Sequence, residues 1–209
     1  PDLPRIPGHE AVGEIVDIGP GVNRPGVETV RIGDRVGIPW LHEACGHCEY
    51  CLDGWETVCP NQRRTGYDTD GGFAEYVLAN PLYLAFIPDG LDYVQAAPLV
   101  CAGVTVYKGL VMTEASAGDW VVISGIGGLG HLAVQYGVAM GLRVIAVDIE
   151  DSKLDLAAKL GATMTVNAAT TDATCNALSV VPMGCWSQPL AGRLSAKRLD
   201  SPGQAARSC

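Results

Sequence analysis

Four cysteines lie within fifteen residues of the chain, in the segment CGHCEYCLDGWETVC, at positions Cys45, Cys48, Cys51 and Cys59. The first three are spaced three residues apart, so their thiols suit convergence on one ion better than pairing with distant partners. A set of disulfides, as in small secreted proteins, is the alternative. The spacing favours a metal clamp over disulfides.

A glycine-rich turn, SGIGGLG, carries a second possible chemistry. Gly125, Gly127 and Gly130 form G-x-G-x-x-G between the apolar run VVISG and a helical pattern, with Gly128 inside the same turn. Asp148 ends the next apolar run, at the distance typical of dinucleotide-binding folds. The glycines permit a tight turn, close approach of a pyrophosphate and close helix packing. The amides that begin the helix would then face the phosphates.

The acidic residue of this pattern predicts the kind of dinucleotide. Asp148 would accept hydrogen bonds from the adenosine ribose, and its charge would repel a 2′-phosphate, which favours NAD over NADP. Lys153 could reach the same ribose or could be a solvated helix lysine. The alternative for the whole motif is a glycine-rich turn without a ligand.

A histidine and a cysteine far apart in the sequence could form a second metal site. PGHE places His9 and Glu10 in a turn before a β-like run, and Cys101 stands apart from the cysteine cluster. Imidazole and thiolate suit zinc, and an open coordination position would make the site catalytic. Taken alone, His9 is equally an ordinary turn histidine and Cys101 an ordinary core cysteine.

Composition narrows the class of protein. The chain has 209 residues and a formal net charge of −9, which repels nucleic acid and anionic lipid. No apolar stretch reaches the roughly 18–20 residues that span a bilayer, and we expect a cytoplasmic protein. Because the chain begins at Pro1, we also expect that an N-terminal segment is missing.

The patterning predicts two domains and a tail. Residues 1–99 contain short β-like runs between Gly and Pro turns, which predicts a mainly antiparallel β domain: AVGEIVDIG, RVGIPW, FAEYVLA and LYLAFIP. Residues 100–169 alternate helical and buried-strand patterns, which predicts parallel βαβ units: LVCAGVTVYKGL, GDWVVISG, GGLGHLAVQYGVAMG, LRVIAVD, EDSKLDLAAKLG and TMTVNA. Residues 170–209 keep neither period, and we expect a disordered tail there.

Several motifs occur together and in order between Pro4 and Asn167: GHE, GDRVGIPWL, the C-x2-C-x2-C-x7-C loop, GYDTDGGFAEY, APLVCAGVTVYKGL and SGIGGLGHLAVQY. As a set they resemble the zinc-dependent medium-chain alcohol dehydrogenases, specifically the tetrameric bacterial and yeast-type enzymes. The resemblance implies an α/β protein with a mainly-β domain, namely a GroES-like catalytic domain followed by a partial Rossmann domain. It also implies one structural and one catalytic zinc, and a homotetramer for the intact family member.

The resemblance assigns roles to single residues. The four clustered cysteines match the structural-zinc ligands, and His9 and Cys101 match the catalytic-zinc ligands. Glu10 matches a neighbouring or transient ligand, and Thr105 falls where the family touches the nicotinamide. Trp40 falls where the family walls the alcohol pocket, and an indole there would favour small primary alcohols by excluding bulk.

The implied activity is oxidation of small primary alcohols to aldehydes, with hydride transfer to NAD. The alternatives are another zinc-dependent dehydrogenase, acting on polyols or forming other aldehydes, and a non-enzymatic zinc module. The family's first catalytic cysteine ligand would precede Pro1 and is not present. We therefore expect this chain, as an incomplete copy, to be inactive.

The tail suggests a hypothesis about the gene. If the last base of each codon is joined to the first two of the next, VVPMGCWSQP can encode Gly-Ala-His-Gly-Val-Leu-Val-Thr-Ala. That string resembles the family's continuation of the nucleotide domain. We therefore hypothesise a frameshift between about Asn167 and Val180.

Overall fold

The structure, a computed structural model, describes residues 3–23 and 29–170. The chain divides into two compact units, Pro1–Cys101 and Ala102–Cys209, here called the first and the second unit. The predicted tail lies outside the described residues from position 171 onward, so its disorder and the frameshift remain predictions.

The first unit is built from short strands joined by long turns. Its elements are β1 (Ala11–Glu14), β2 (Arg35–Ile38), β3 (Leu41–Glu43), α1 (Glu49–Leu52), β4 (Arg63–Arg64), β5 (Ala85–Phe86) and α2 (Tyr93–Ala96). Short 3₁₀ turns cover Glu56–Val58, Pro81–Tyr83 and Ala97–Val100. Strand β2 lies between β1 and β5 in an antiparallel sheet, and β3 pairs with β4. The expected antiparallel β unit is therefore present.

One predicted strand of the first unit is wrong. The segment FAEYVLA, residues 73–79, has no strand, and the side chains of Phe73, Tyr76 and Leu78 are 79%, 74% and 88% exposed. A β-like run of apolar residues forms a strand only when a neighbouring strand satisfies its backbone. The Phe73 N–H donates to the Pro7 carbonyl at 3.0 Å, but no strand among the described residues pairs with this segment.

The predicted strand LYLAFIP is shorter than expected. The Asn80 side chain accepts the backbone N–H of Leu82 and starts a 3₁₀ turn whose first residue is Pro81. Only Ala85–Phe86 remain as a strand.

The second unit is a three-stranded parallel sheet with helices. Its elements are α3 (Ala102–Val111), β6 (Trp120–Ser124), α4 (Gly130–Ala139), β7 (Arg143–Asp148), α5 (Asp151–Lys159) and β8 (Met164–Asn167). The strand order is β6, β7, β8, and both pairs are parallel. The predicted βαβ units are confirmed, because the helical and strand periods in this segment are long and strong.

Strand β7 lies at the centre of the second unit and is buried along almost its whole length. The side chains packed around it form one apolar core, which includes Val106, Leu110, Val121, Ile123, Ala133, Val134, Val144, Ala146 and Ala157. Gly137 on α4 permits close packing, since a Cβ there would lie 2.8 Å from a methyl of Val144. This core fixes the carboxyl ends of β6 and β7, where the glycine-rich turn and Asp148 lie.

Among the described residues, no single helix is long and apolar enough to cross a membrane. One bent pair, Tyr93–Val100 with Ala102–Val111, meets those criteria together by length and composition.

Candidate metal centres and dinucleotide site

The four clustered cysteines bring their sulfur atoms together in the first unit. Neighbouring Sγ atoms lie 3.9 Å apart for Cys45 and Cys51, and 3.5 Å for Cys48 and Cys51. Cys59 lies 3.8 Å from Cys48 and 3.6 Å from Cys45. These separations are far longer than a disulfide bond of about 2.05 Å, and all four thiols are free.

The spacing of the sulfurs fits a tetrahedral zinc ion. With a Zn–S bond of about 2.3 Å, tetrahedral geometry separates the sulfurs by about 3.8 Å. All four ligand atoms lie within 4.8 Å of one another, and no other such group occurs among the described residues. The four cysteine sulfurs are therefore arranged as a closed cage, which would leave a tetrahedral ion no open position for a substrate.

Local structure shapes this cage. Cys48 precedes the one-turn helix α1, which carries Cys51, and Gly46 and Gly54 adopt the left-handed backbone that glycine tolerates best. A hydrogen bond from the backbone N–H of His47 is the main reason that the pKa of Cys45 is lowered to about 6. Burial is the main cause that raises the pKa of Cys51 to about 12. A bound cation would favour the thiolate form of all four.

The second predicted metal site brings together His9 and Cys101, which are 92 residues apart in the chain. The Nε2 atom of His9 lies 3.2 Å from the Sγ atom of Cys101, and the pair is partly buried. A tetrahedral zinc would separate such a nitrogen and sulfur by about 3.6 Å. The donor types and their separation fit zinc, and this pair alone leaves further coordination positions open.

Close packing against Gly37 holds Cys101 in place. The 3₁₀ turn Ala97–Val100 leads directly into Cys101, and Val100 packs over Gly37 of β2, where a Cβ would lie 2.5 Å from a Val100 methyl. Only glycine at position 37 leaves that room. The turn, and the thiol that follows it, are thereby held against the sheet.

Glu10 lies beside the pair without completing a three-ligand cluster. Burial raises the pKa of the Cys101 thiol, and the Glu10 carboxylate raises it further. The Glu10 oxygens nevertheless do not join His9 and Cys101 within the ligand spacing that defines the cysteine cage. Trp40 does border the pair, because its ring centroid lies 4.8 Å from that of His9 in an edge-to-face contact.

In the second unit, the glycine-rich turn follows β6 and begins α4. Gly125 has a φ of +83°, and its N–H donates to the Val147 carbonyl on β7 at 2.8 Å. A Cβ on Gly130 would collide with the Gly125 carbonyl oxygen, whereas a Cβ on Gly127 or Gly128 would have no heavy atom of the described residues within 4 Å. Gly130 is thus required by packing, and the space around Gly127 and Gly128 is open. Within the part of the chain that the structure describes, no side chain caps the start of α4.

Asp148 is tied to this turn by hydrogen bonds. Its Oδ2 accepts the N–H of Ile126 at 2.7 Å, and its Oδ1 accepts those of Ile149 and Glu150 at 2.7 and 3.1 Å. Burial would raise the pKa of this carboxyl, but the three backbone donors outweigh it and hold the pKa below its usual range. Asp148 is therefore a buried carboxylate, only 8% exposed, beside the open part of the turn.

Comparison with known proteins assigns the chain to a family. Residues 1–89 match the alcohol dehydrogenase GroES-like domain, and residues 128–181 match the zinc-binding dehydrogenase domain. An alcohol dehydrogenase of Moraxella sp. (strain TAE123) is 60% identical over 172 residues, which cover 82% of this chain and 49% of that protein.

This chain belongs to the zinc-dependent medium-chain alcohol dehydrogenase family.

Solved structures agree with this assignment. The alcohol dehydrogenase of Aeropyrum pernix is 34% identical with a TM-score of 0.68, over 85% of this chain and 51% of that one. CAD of Helicobacter pylori, solved with NADP(H), is 30% identical with a TM-score of 0.70, over 79% and 49%. The GroES-like and Rossmann-type folds implied by the resemblance are confirmed. The chain spans about half the length of the curated relatives that it matches.

Two further predicted cofactor residues lie on helices of the second unit: Thr105, assigned by the resemblance, and Lys153, predicted from its place after Asp148, whose pKa its charge helps to lower. Thr105 lies on α3 and is partly buried. Lys153 lies on α5, and its Nζ pairs with Glu150 Oε1 at 2.7 Å on the surface. Hydrogen bonding to Glu150 is the main reason that the pKa of Lys153 is raised. The Lys153 ammonium group therefore stays charged and is paired with the Glu150 carboxylate.

The structure adds one aromatic residue that sequence reasoning did not single out. The Tyr67 ring lies 6.1 Å from that of Trp40, in the segment GYDTDGG used only as part of the dehydrogenase resemblance. Nothing in a period or spacing marks Tyr67, because its contact with Trp40 joins two separate loops.

Proposed function

We propose that this chain carries the zinc and dinucleotide sites of an enzyme that oxidises small primary alcohols to aldehydes and transfers hydride to NAD. The observation that carries the proposal is the 3.2 Å approach of His9 Nε2 to Cys101 Sγ beside the Trp40 indole. Imidazole and thiolate at this separation suit zinc, and an indole beside an open metal position suits a small substrate.

The two metal centres divide structural and catalytic roles. Cys45, Cys48, Cys51 and Cys59 hold a closed structural zinc that stabilises its loop. His9 and Cys101 hold the catalytic zinc, with Glu10 as a neighbouring or transient ligand. A zinc ion held there would act as a Lewis acid toward the alcohol oxygen. Trp40 limits the bulk of the alcohol that can lie next to the ion.

The second unit supplies the cofactor site. The open space at Gly127 and Gly128 and the uncapped start of α4 suit a pyrophosphate. The Asp148 carboxylate, kept ionised by its backbone donors, favours the ribose hydroxyls of NAD and disfavours a 2′-phosphate. Lys153 contributes to the same ribose region, and Thr105 contacts the nicotinamide.

We also propose a homotetramer, which the resemblance implies, and a cytoplasmic location for the intact protein. The five cysteines of the described residues are free thiols, which suits a reducing compartment. Sedimentation of the protein would test the tetramer, since any other mass rules it out.

The activity is tested by following NADH formation from ethanol at neutral pH. The intact wild-type protein should produce NADH, and Cys101→Ser and His9→Ala in the intact protein should abolish production while still binding NADH. Lys159→Gln, an exposed change at the end of α5, is the control variant and should be active. Zinc binding without any NADH binding would instead identify a non-enzymatic zinc module.

A further inference from the structure

A loop next to the His9–Cys101 pair is closed by a charged clamp between its first residue and its fifth. The Arg64 Nε and Nη2 atoms donate to the two carboxylate oxygens of Asp68 at 2.6 and 3.0 Å. The backbone N–H of Arg64 donates to the same carboxylate at 2.9 Å. Two-pronged guanidinium–carboxylate pairs add geometric specificity, so this clamp favours one loop conformation.

Backbone hydrogen bonds tighten the same loop, residues 64–69, here called the Tyr67 loop. The carbonyl oxygen of Arg64 accepts the N–H groups of Tyr67, Asp68 and Thr69 at 3.2, 2.9 and 3.2 Å. The N–H of Thr65 donates to the Trp40 carbonyl at 2.9 Å, which joins the loop to the residue before β3. The loop is therefore anchored to the backbone of Trp40 itself.

Four side chains follow one another from the clamp to the proposed zinc ligand. The Arg64 guanidinium lies 4.3 Å from the centroid of the Tyr67 ring, within the range of a cation–π contact. The Tyr67 ring lies 6.1 Å from the Trp40 ring, and Trp40 lies 4.8 Å from His9. Both ring pairs are at the distances at which aromatic side chains attract one another.

The Tyr67 loop has little room to shift away from the His9 turn. A Cβ on Gly66 would lie 2.8 Å from the backbone nitrogen and oxygen of Gly8, directly before His9. Just beyond the loop, the Gly71 N–H donates to the Ile6 carbonyl at 2.7 Å. Movement of the Trp40 indole toward Tyr67 would therefore meet a ring that the surrounding backbone holds in place.

We propose that Tyr67, held by Arg64 and Asp68, is a positioning residue that braces the Trp40 indole against His9. Tyr67 acts through Trp40 and is not itself a catalytic residue. The brace depends only on the first unit. Its consequence for substrates, a narrow alcohol site that rejects branched carbon chains, rests on the proposed function.

The brace is tested without any enzyme assay by fluorine NMR of the chain labelled with 5-fluorotryptophan. A Trp40→Phe variant identifies the Trp40 resonance. Tyr67→Ala should shift and broaden that resonance, whereas Tyr67→Phe, which keeps the ring, should leave it near the wild-type position. The Trp120 resonance, from strand β6, is the internal control and should not move.

A second variant keeps the test decisive if the Tyr67→Ala chain misfolds. Asp68→Asn keeps the tyrosine and removes one prong of the clamp, and it should broaden the Trp40 resonance in the same direction by a smaller amount. If the Tyr67→Ala chain misfolds, the Asp68→Asn chain decides the matter. An unchanged Trp40 resonance in a folded Tyr67→Ala or Asp68→Asn chain would overturn the brace.

The consequence for substrates is tested by the ratio of kcat/KM for a branched alcohol, 2-methylpropanol, to that for ethanol. Tyr67→Ala should raise the ratio about tenfold, the typical value of one methylene in a pocket, and Tyr67→Phe should not. Zinc content should stay equal in both variants. An intact protein without activity would refute the proposed function, while the NMR result still decides the brace. Activity with an unchanged ratio would show that the brace does not set substrate size.

Discussion

The Asp148 carboxylate accepts the backbone N–H of Ile126 at 2.7 Å across 22 residues of sequence. This bond joins the end of β7 to the glycine-rich turn. The other oxygen of the Asp148 carboxylate accepts the N–H groups of the first two residues after the strand. The sequence pattern treats Asp148 as a ligand for ribose alone. The structure shows that it also holds the turn that would receive the phosphates.

Replacing Asp148 should therefore damage the fold as well as the choice of cofactor. Asp148→Ala leaves the buried N–H of Ile126 and the partly buried N–H groups of Ile149 and Glu150 without their acceptor, and we expect a loss of about 1–3 kcal/mol in the free energy of unfolding. Affinity for NADH and NADPH should fall together. Urea unfolding and fluorescence titration measure the two effects, with the exposed Asp155→Asn as the control.

If Asp148 served only to discriminate between cofactors, the result would differ. Asp148→Ala would then keep its stability, lose affinity for NADH and gain affinity for NADPH.

The same carboxylate predicts a dependence of stability on pH. Its pKa in the folded chain lies below the ordinary value, because backbone donors outweigh burial. Its contribution to the free energy of unfolding is therefore complete above the unfolded pKa of about 3.9, and that contribution is lost as the pH falls through the lower folded pKa. In that acid window the urea midpoint of the wild-type chain should fall more steeply than that of Asp148→Asn. Equal slopes would contradict this.

Two glycines of one turn should behave differently when each is changed to alanine. Gly130→Ala drives a methyl group into the Gly125 carbonyl and should destabilise the second unit strongly. Gly127→Ala meets no heavy atom and should change the melting temperature little, yet it should abolish NADH binding by filling the space for the pyrophosphate. Calorimetry and titration separate the two. NADH binding of wild-type strength by Gly127→Ala would argue against a dinucleotide in this turn.

A buried hydroxyl in the Tyr67 loop predicts a stabilising substitution. Thr65 is fully buried, and its Oγ1 has no hydrogen-bond partner among the described residues. Thr65→Val removes the unpaired group and keeps the shape, so the free energy of unfolding should rise by up to about 1 kcal/mol. Thr69→Val is the control. The Thr69 hydroxyl donates to the Arg64 carbonyl oxygen, so the loss of this hydroxyl should not stabilise the chain. A clear loss in Thr65→Val would show that the hydroxyl has a partner or a function.

The sequence predicted the second unit better than the first, for a physical reason. The βαβ pattern between Trp120 and Asn167 is local and strongly periodic, so strands, helices and the glycine turn could be located from residue types. The segment 73–79 is apolar with β-forming residues but has no pairing strand among the described residues, and local pattern alone cannot supply a partner.

Contacts between distant loops could not be predicted from spacing. The approach of His9 to Cys101 was expected only through the family resemblance, and the brace at Tyr67 was not expected at all. The Ile126–Asp148 bond involves a backbone donor, which carries no signal in the residue type. The cysteine cage is the opposite case, because its four ligands lie within fifteen residues.

Zinc content per chain tests the central claim most directly. After saturation with zinc and removal of the excess, the wild-type chain should hold two ions, one in the cysteine cage and one at His9 and Cys101. Cys101→Ser should hold one, and adding Cys59→Ser to it should leave none. A wild-type chain that holds one zinc, unchanged in Cys101→Ser, would contradict the account.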